Sequence, residues 1–310
     1  MKRLSNICGL LVLMAALLVL SATSVFAAPG VDWDNAVITA QGTGVPPANA
    51  YNSVQARMMA RRAAIVDAYR QLAEQIKGVN VDADTTVENM MVTSDVVKTH
   101  VSALVQGARI TDEKVLPEGG YQVTMQVSVF GVSNSLASAV YDNRSRRVQE
   151  AYPDPVSDVA PSVPMTLPAI ENPGSTAPTY TTDEPIRDNT GTSAAATPSG
   201  RAIGNYTGLI VDCRGLGLTP VMSPVIENEA GTPIYGYKNL DYDKVVKDGM
   251  ASYTRDIRTA GRAGSHPLVV KAVRLDHNAN PVLSIADANR VLIENGATGF
   301  LDNTKVVFVR

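Results

Sequence analysis

The composition of the chain cuts it in two. Residues 151–200 read AYPDPVSDVAPSVPMTLPAIENPGSTAPTYTTDEPIRDNTGTSAAATPSG and hold half of its 18 prolines. Proline removes a backbone donor and breaks both helix and ladder. The Ser, Thr, Ala and Gly between the prolines offer little apolar surface to offset the entropy of ordering. An extended, disordered linker over 148–203 is therefore expected, not a domain. A ligand for a proline-binding partner is the other use of such a tract. Of the 310 residues, those outside a 27-residue leader are enough for two domains of ordinary size. The expected architecture is α+β: two small domains of helix layered on sheet, at 28–147 and 204–310, joined by the Pro/Ser/Thr-rich linker.

The leader reads as a secretory signal. Lys2 and Arg3 form a basic start, Ile7 through Leu20 form the apolar run, and Val25-Phe26-Ala27 fits the small-residue cleavage rule. The run is short of the roughly twenty apolar residues a spanning helix needs. Retention as an uncleaved anchor is the alternative. Every later apolar run is broken by charge, so no integral membrane span is expected after cleavage. Cys8 lies inside the signal and far from the cleavage point, and Cys213 is then the single cysteine. The fold must stand on packing without an internal disulfide. The chain carries 27 basic and 30 acidic residues; removal of Lys2 and Arg3 leaves 25 against 30, a formal −5. That balance opposes a nucleic-acid partner, which wants a basic face.

In the first half, Trp33, Val37 and Ile38 mark a strand over Val31–Gln41, and Gly42-Thr43-Gly44-Val45-Pro46-Pro47 reads as a breaker. A helix is predicted from about Ala48 to Lys77. Val54, Met58, Ile65, Ala68, Leu72 and Ile76 recur there at helical spacing, and Gly78 stops it. Arg57, Arg61, Arg62 and Arg70 lie mostly off this stripe. They are the candidate partner-docking face, against the plainer reading of a solvated helix side. Val79, Val81 and Ala83 alternate with polar residues and suggest a strand. Ser94 or Asp95 caps a helix carrying Val96, Val97, Val101, Leu104 and Val105. Ala108–Phe130 reads as a hairpin turning at Glu118-Gly119-Gly120, with Tyr121, Val123, Met125, Val127 and Val129 on one face. Val132–Arg147 is expected to form a terminal helix.

This half resembles a known family. Ala60, Ala63, Ala64, then Asp67-Ala68-Tyr69-Arg70-Gln71-Leu72-Ala73-Glu74, Ile76 and Gly78-Val79 resemble the LPP-twenty family of bacterial outer-membrane lipoproteins. The likeness runs on through Val105, Gly107-Ala108 and Gly119-Gly120-Tyr121. The same residues are similar to the N-terminal domain of flagellar assembly protein T, a periplasmic component of a basal-body ring. The resemblance implies an exported envelope module. One departure is plain: a lipoprotein carries a cysteine at the cleavage point, and here Ala27 and Ala28 flank it.

The second half begins near Tyr206 with a strand at Leu209-Ile210-Val211 and a loop from Arg214 to Pro220. A hairpin over Val225–Tyr235 turns at Glu229-Ala230-Gly231. Asp241 or Asp243 caps a helix holding Val245, Val246, Met250, Tyr253 and Ile257. A strand at Leu268–Val273, a helix at Ile285–Asn295 with Gly296 as its cap, and a strand at Lys305–Val309 follow. The stretches TGLIVDCRGLGLTPVMSPVIENEAGTPIYG, HPLVVKAVR and SIADANRV resemble a C-terminal segment of longer members of the same envelope family. That likeness implies no activity.

The residues that carry chemistry elsewhere are sparse here. Gly215 and Gly217 follow a strand, but the third glycine and the phosphate-binding lysine of a nucleotide loop are absent. His100, His266 and His277 have no partner at zinc spacing. Asp241-Tyr242-Asp243 and Asp276-His277-Asn278-Ala279-Asn280 offer oxygens without the twelve-residue calcium-loop spacing. Cys213 with His266 or His277 is a conceivable nucleophile and base, yet it sits in the apolar run LIVDC. No catalytic, metal or cofactor site is expected. The reading is a non-enzymatic exported protein of the periplasm or cell envelope, a structural or assembly module binding other envelope proteins or its own copies. A cell-wall or small-ligand binder and a Cys-dependent hydrolase are the alternatives.

Overall fold

The structure, a computed structural model, describes residues 30–141, 150–156 and 201–310. The expected signal segment and most of the expected linker lie outside them. The described residues form two compact units, one mainly from 30–141 and the other mainly from 150–156 with 201–310. Both mix helix and sheet, and the chain is α+β.

The first unit is a four-stranded antiparallel sheet with helices. Its strands are β1 (Gly30–Asp32), β2 (Val37–Gly44), β3 (Arg109–Val115) and β4 (Tyr121–Ser128), in the order β1-β2-β4-β3. The helices are α1 (Ser53–Lys77), α2 (Val87–Thr93), α3 (Asp95–Gln106) and α4 (Leu136–Val140). The alternation of β4 buries Val123, Met125 and Val127, continuing to Val129. Ser94 caps α3 by accepting from Val97 N at 3.3 Å, and Val97, Val101 and Leu104 are buried. The expected single first strand is a hairpin, because Asp32 Oδ1 accepts from Asp34 and Asn35 N and turns the chain. Strand pairing at Val79–Ala83 does not extend beyond an Asn80–Thr86 bridge. Thr85 O accepts from Val81 N at 2.8 Å, which folds these residues into a turn.

Two further expectations are corrected on α1. Gly42 and Gly44 are not a breaker; they lie inside β2, paired with Val123 and Tyr121. A Cβ on Gly42 would overlap Ala68 N and Ala64 O, and one on Gly44 would overlap Ala60 O. Helix backbone thus rests directly on strand backbone. The buried seam of α1 is Ala60, Ala64, Ala68, Leu72 and Ile76, every fourth residue. Each four-residue step advances about 40° round a helix of 3.6 residues per turn, so the seam winds as the helix crosses the sheet. Val54 shares the azimuth of Leu72, five turns away, but by that point the seam has left it. Val54 is 69% exposed and Met58 60%, although the periodicity places them inside.

The second unit holds two four-stranded sheets. One is parallel throughout: β5 (Gly208–Asp212), β8 (Ser252–Thr254), β9 (Pro267–Lys271) and β12 (Val306–Val309), in the order β8-β12-β5-β9. β12 is buried along its whole length, as expected for a central parallel strand covered on both faces. The other sheet is β10 (Arg274–Asp276), β11 (Asn280–Leu283), β6 (Ile226–Asn228) and β7 (Pro233–Tyr235), in that order. Helix α5 is Tyr242–Asp248 and α6 is Ile285–Thr298. Tyr253 and Ile257 do not continue α5. Tyr253 is in β8, where its hydroxyl accepts from Val221 N and donates to Val221 O at 2.8 Å. Helix α6 runs past Gly296 to Gly299, whose φ of 64° is the left-handed cap.

Candidate functional site

The entry into α1 is set by Asn52, whose side chain accepts from Gln55 N at 2.8 Å, while Gln55 Oε1 accepts from Tyr51 N at 3.0 Å. This reciprocal cap fixes the first turn. With the seam on Ala60 and Ala64, the first half of α1 leaves Val54, Met58, Met59 and Val66 in solvent, and Tyr51 is exposed just before the helix. Isolated exposed apolar residues are ordinary on any surface. Four along little more than three turns of one helix form the kind of patch that marks an interaction site.

The four candidate arginines divide into two pairs. Arg61 forks onto Glu113 of β3, with Nε to Oε2 at 2.9 Å, and the Tyr121 hydroxyl donates to the same Oε2 at 2.8 Å. Hydrogen bonds from Arg61 and Tyr121 pull the Glu113 carboxyl down to about 2. The edge strand is thereby pinned to the helix. Arg70 is held along α1 by Asp67 at 3.0 Å and Glu74 at 2.8 Å. Asp67 also accepts from Thr43 N at 3.0 Å, and that backbone hydrogen bond leads in lowering its pKa. Arg57 and Arg62 are exposed beside the apolar residues. Arg57 and Arg62 thus stand in solvent with Val54 and Met58, two residues that the helical periodicity assigns to the buried stripe.

In the second unit the four parallel strands end in a row at Thr254, Val309, Asp212 and Lys271. Ligands of open parallel sheets bind beyond this end. Here Asp212 accepts a fork from Arg214 at 2.8 and 2.6 Å, and Asp256 accepts one from Arg258 at 3.1 and 2.7 Å. The arginines hold both carboxyls below their usual range, chiefly by these hydrogen bonds. Gly215 and Gly217 adopt φ of 81° and 77°, which a tight strand-exit turn requires. Cys213 is fully buried next to this turn, and burial pushes its thiol up to about 12.

His266, His277 and Asp241 have structural partners. His266 stacks on Tyr206 at 5.1 Å between ring centres. His277 Nδ1 lies 2.6 Å from Asp276 Oδ2, in a turn where His277 and Asn278 both have positive φ. Asp241 Oδ1 accepts from Lys244 N at the start of α5. Among the described residues no group of three or more His, Cys, Asp or Glu is placed to hold a metal ion. Nor is any of their helices long and apolar enough to cross a membrane. Sequence reasoning missed Glu113 and the exposed stripe of α1. The Gly42-Thr43-Gly44 run, read together with alanines at 60, 64 and 68, is the signal that finds the stripe, since it places the contact seam elsewhere.

Residues 45–128 match the LPP20 lipoprotein family, and residues 208–310 match a family described as Treponema pallidum Tp0624, second domain. Among curated proteins no relative matches the chain.

Proposed function

We propose that the chain is a non-enzymatic exported protein of the cell envelope, a structural or assembly module that binds other envelope components. The outer face of α1 carries this reading. Val54 and Met58 stand in solvent beside Arg57 and Arg62, on the helix that lies within the LPP20 lipoprotein match, with exposed Tyr51 just before it. The assembly role is the part of the proposal that rests only on the sequence resemblance of Ala60, Ala63, Ala64 and Asp67–Glu74 to the N-terminal domain of flagellar assembly protein T. Partners are other envelope proteins or further copies of the chain. The high pKa and full burial of Cys213 count against a thiol nucleophile. The test is a full-length Val54→Asp, Met58→Asp double variant, purified from the native envelope beside the wild type. Loss of co-purifying envelope proteins with an unchanged melting temperature is expected. Retention of the same partners overturns the reading.

A second reading rests on the carboxyl edge of the parallel sheet, where Asp212, Arg214, Asp256 and Arg258 gather: a cell-wall or small-ligand site. Pull-down by purified peptidoglycan, lost on replacing Arg214 and Arg258 with Gln, would favour it over the α1 face.

A further inference from the structure

The described residues on either side of 157–200 are held on the second unit, and largely on one helix. Upstream, Asn289 of α6 pairs with the backbone of Val156. Its Oδ1 accepts from Val156 N at 2.8 Å and its Nδ2 donates to Val156 O at 2.7 Å. Asn239 Nδ2 donates to Glu150 O and Ala151 O, each at 3.1 Å, and Glu150 N donates to Lys238 O at 2.8 Å. Downstream, the Glu294 carboxylate accepts from Ile203 N at 3.2 Å and Gly204 N at 3.0 Å. Arg290 donates to the Tyr206 hydroxyl at 2.9 Å. Asn289 is 4% exposed and Glu294 1%. Buried amide and carboxylate groups carry a desolvation cost unless partnered, and here partners come from the flanking segments.

We infer that α6 carries a backbone-reading clasp whose occupants are this chain's own segments 150–156 and 201–206. Asn289 and Glu294 are five residues apart, about 7.5 Å along a helix. Val156 and the Ile203-Gly204 pair are therefore held at neighbouring points of one helix. Because Asn289, Asn239 and Glu294 contact main-chain atoms, the clasp selects a strand by its place in the chain more than by its side chains. The second unit begins near residue 150, well before the 208–310 family match.

Amide hydrogen exchange on the full-length protein tests this. The N–H groups of Glu150, Val156, Ile203 and Gly204 are expected to exchange at least tenfold more slowly than unstructured peptide. In an Asn289→Ala variant, Val156 should lose that protection while Ile210 and Val307 in the sheet keep theirs. Glu294→Ala should release Ile203 and Gly204 in the same way. Exchange of all four amides at the unstructured rate in the wild type would overturn the clasp. So would full protection of Val156 in a folded Asn289→Ala protein. Should a variant lose protection at Ile210 as well, it has unfolded, and the wild-type rates decide.

Discussion

Glu113 shows how one side chain can join three elements. It sits on the edge strand, accepts a fork from Arg61 on α1, and accepts from the Tyr121 hydroxyl on β4. Strand β3 is exposed along its length, so these bonds, with the ladder to β4, hold it in place. The same charges, with a bulge between Ile110 and Asp112, also discourage another chain from adding to the free edge. The Glu113 pKa falls from 4.5 to about 2. A depressed carboxyl pKa contributes stability that is present above the unfolded value and is lost as pH falls through the folded one. The stability difference between wild type and Glu113→Gln should therefore be constant near neutrality and shrink between about pH 4.5 and pH 2. Urea melts across that window measure it. A difference that stays flat to pH 2 would show that the fork does not act through the charge of Glu113.

At the scale of the element, α1 sets what the first unit can present. Its seam follows every fourth residue because Gly42 and Gly44 let the helix backbone touch β2. Leu72→Ala should then cost about 2–5 kcal/mol, and Val54→Ala about 0.5 kcal/mol or less. Gly42→Ala, which drives a methyl into backbone, should cost roughly 3 kcal/mol, the upper end for overpacking. Denaturant melts of these three variants check the order; similar losses at Val54 and Leu72 would put the seam back on the straight stripe. What was legible in the sequence was local. The Ser94 cap, the β3–β4 hairpin with its alternation, and strands β5, β9 and β12 each carry their own signal within a few residues. What was not legible depended on a distant partner. The two glycines of β2 look like punctuation until the alanines of α1 are set against them. Tyr253 fits a helical period, yet the ladder with β12 and the Val221 backbone draw it into a strand. The proposed docking face is half legible: its arginines stand out in the sequence, but a periodicity that ignores the crossing of helix and sheet assigns Val54 and Met58 to the core.

For the whole molecule, the question is where the chain yields first. Its composition sends early cleavage to 157–200, where proline, serine and threonine leave little to pack. A protease needs several residues of extended, unbonded backbone in its cleft, so cutting requires local opening. In the flanking segments such opening has bonds to break. The backbone of Val156 is engaged at both N–H and C=O, Glu150 N is bonded, and Ile203 and Gly204 donate to a buried carboxylate. Limited digestion of the full-length protein should therefore give a first product that runs past residue 156 and a second that starts before residue 206. Intact-mass analysis at successive times reads these ends directly. Trimming back to the family-match boundary near 208 should come later, on the timescale on which the second unit itself opens. First cuts inside 150–156, ahead of any in the tract, would show those residues to be spacer, and the second unit would then begin only at its first parallel strand.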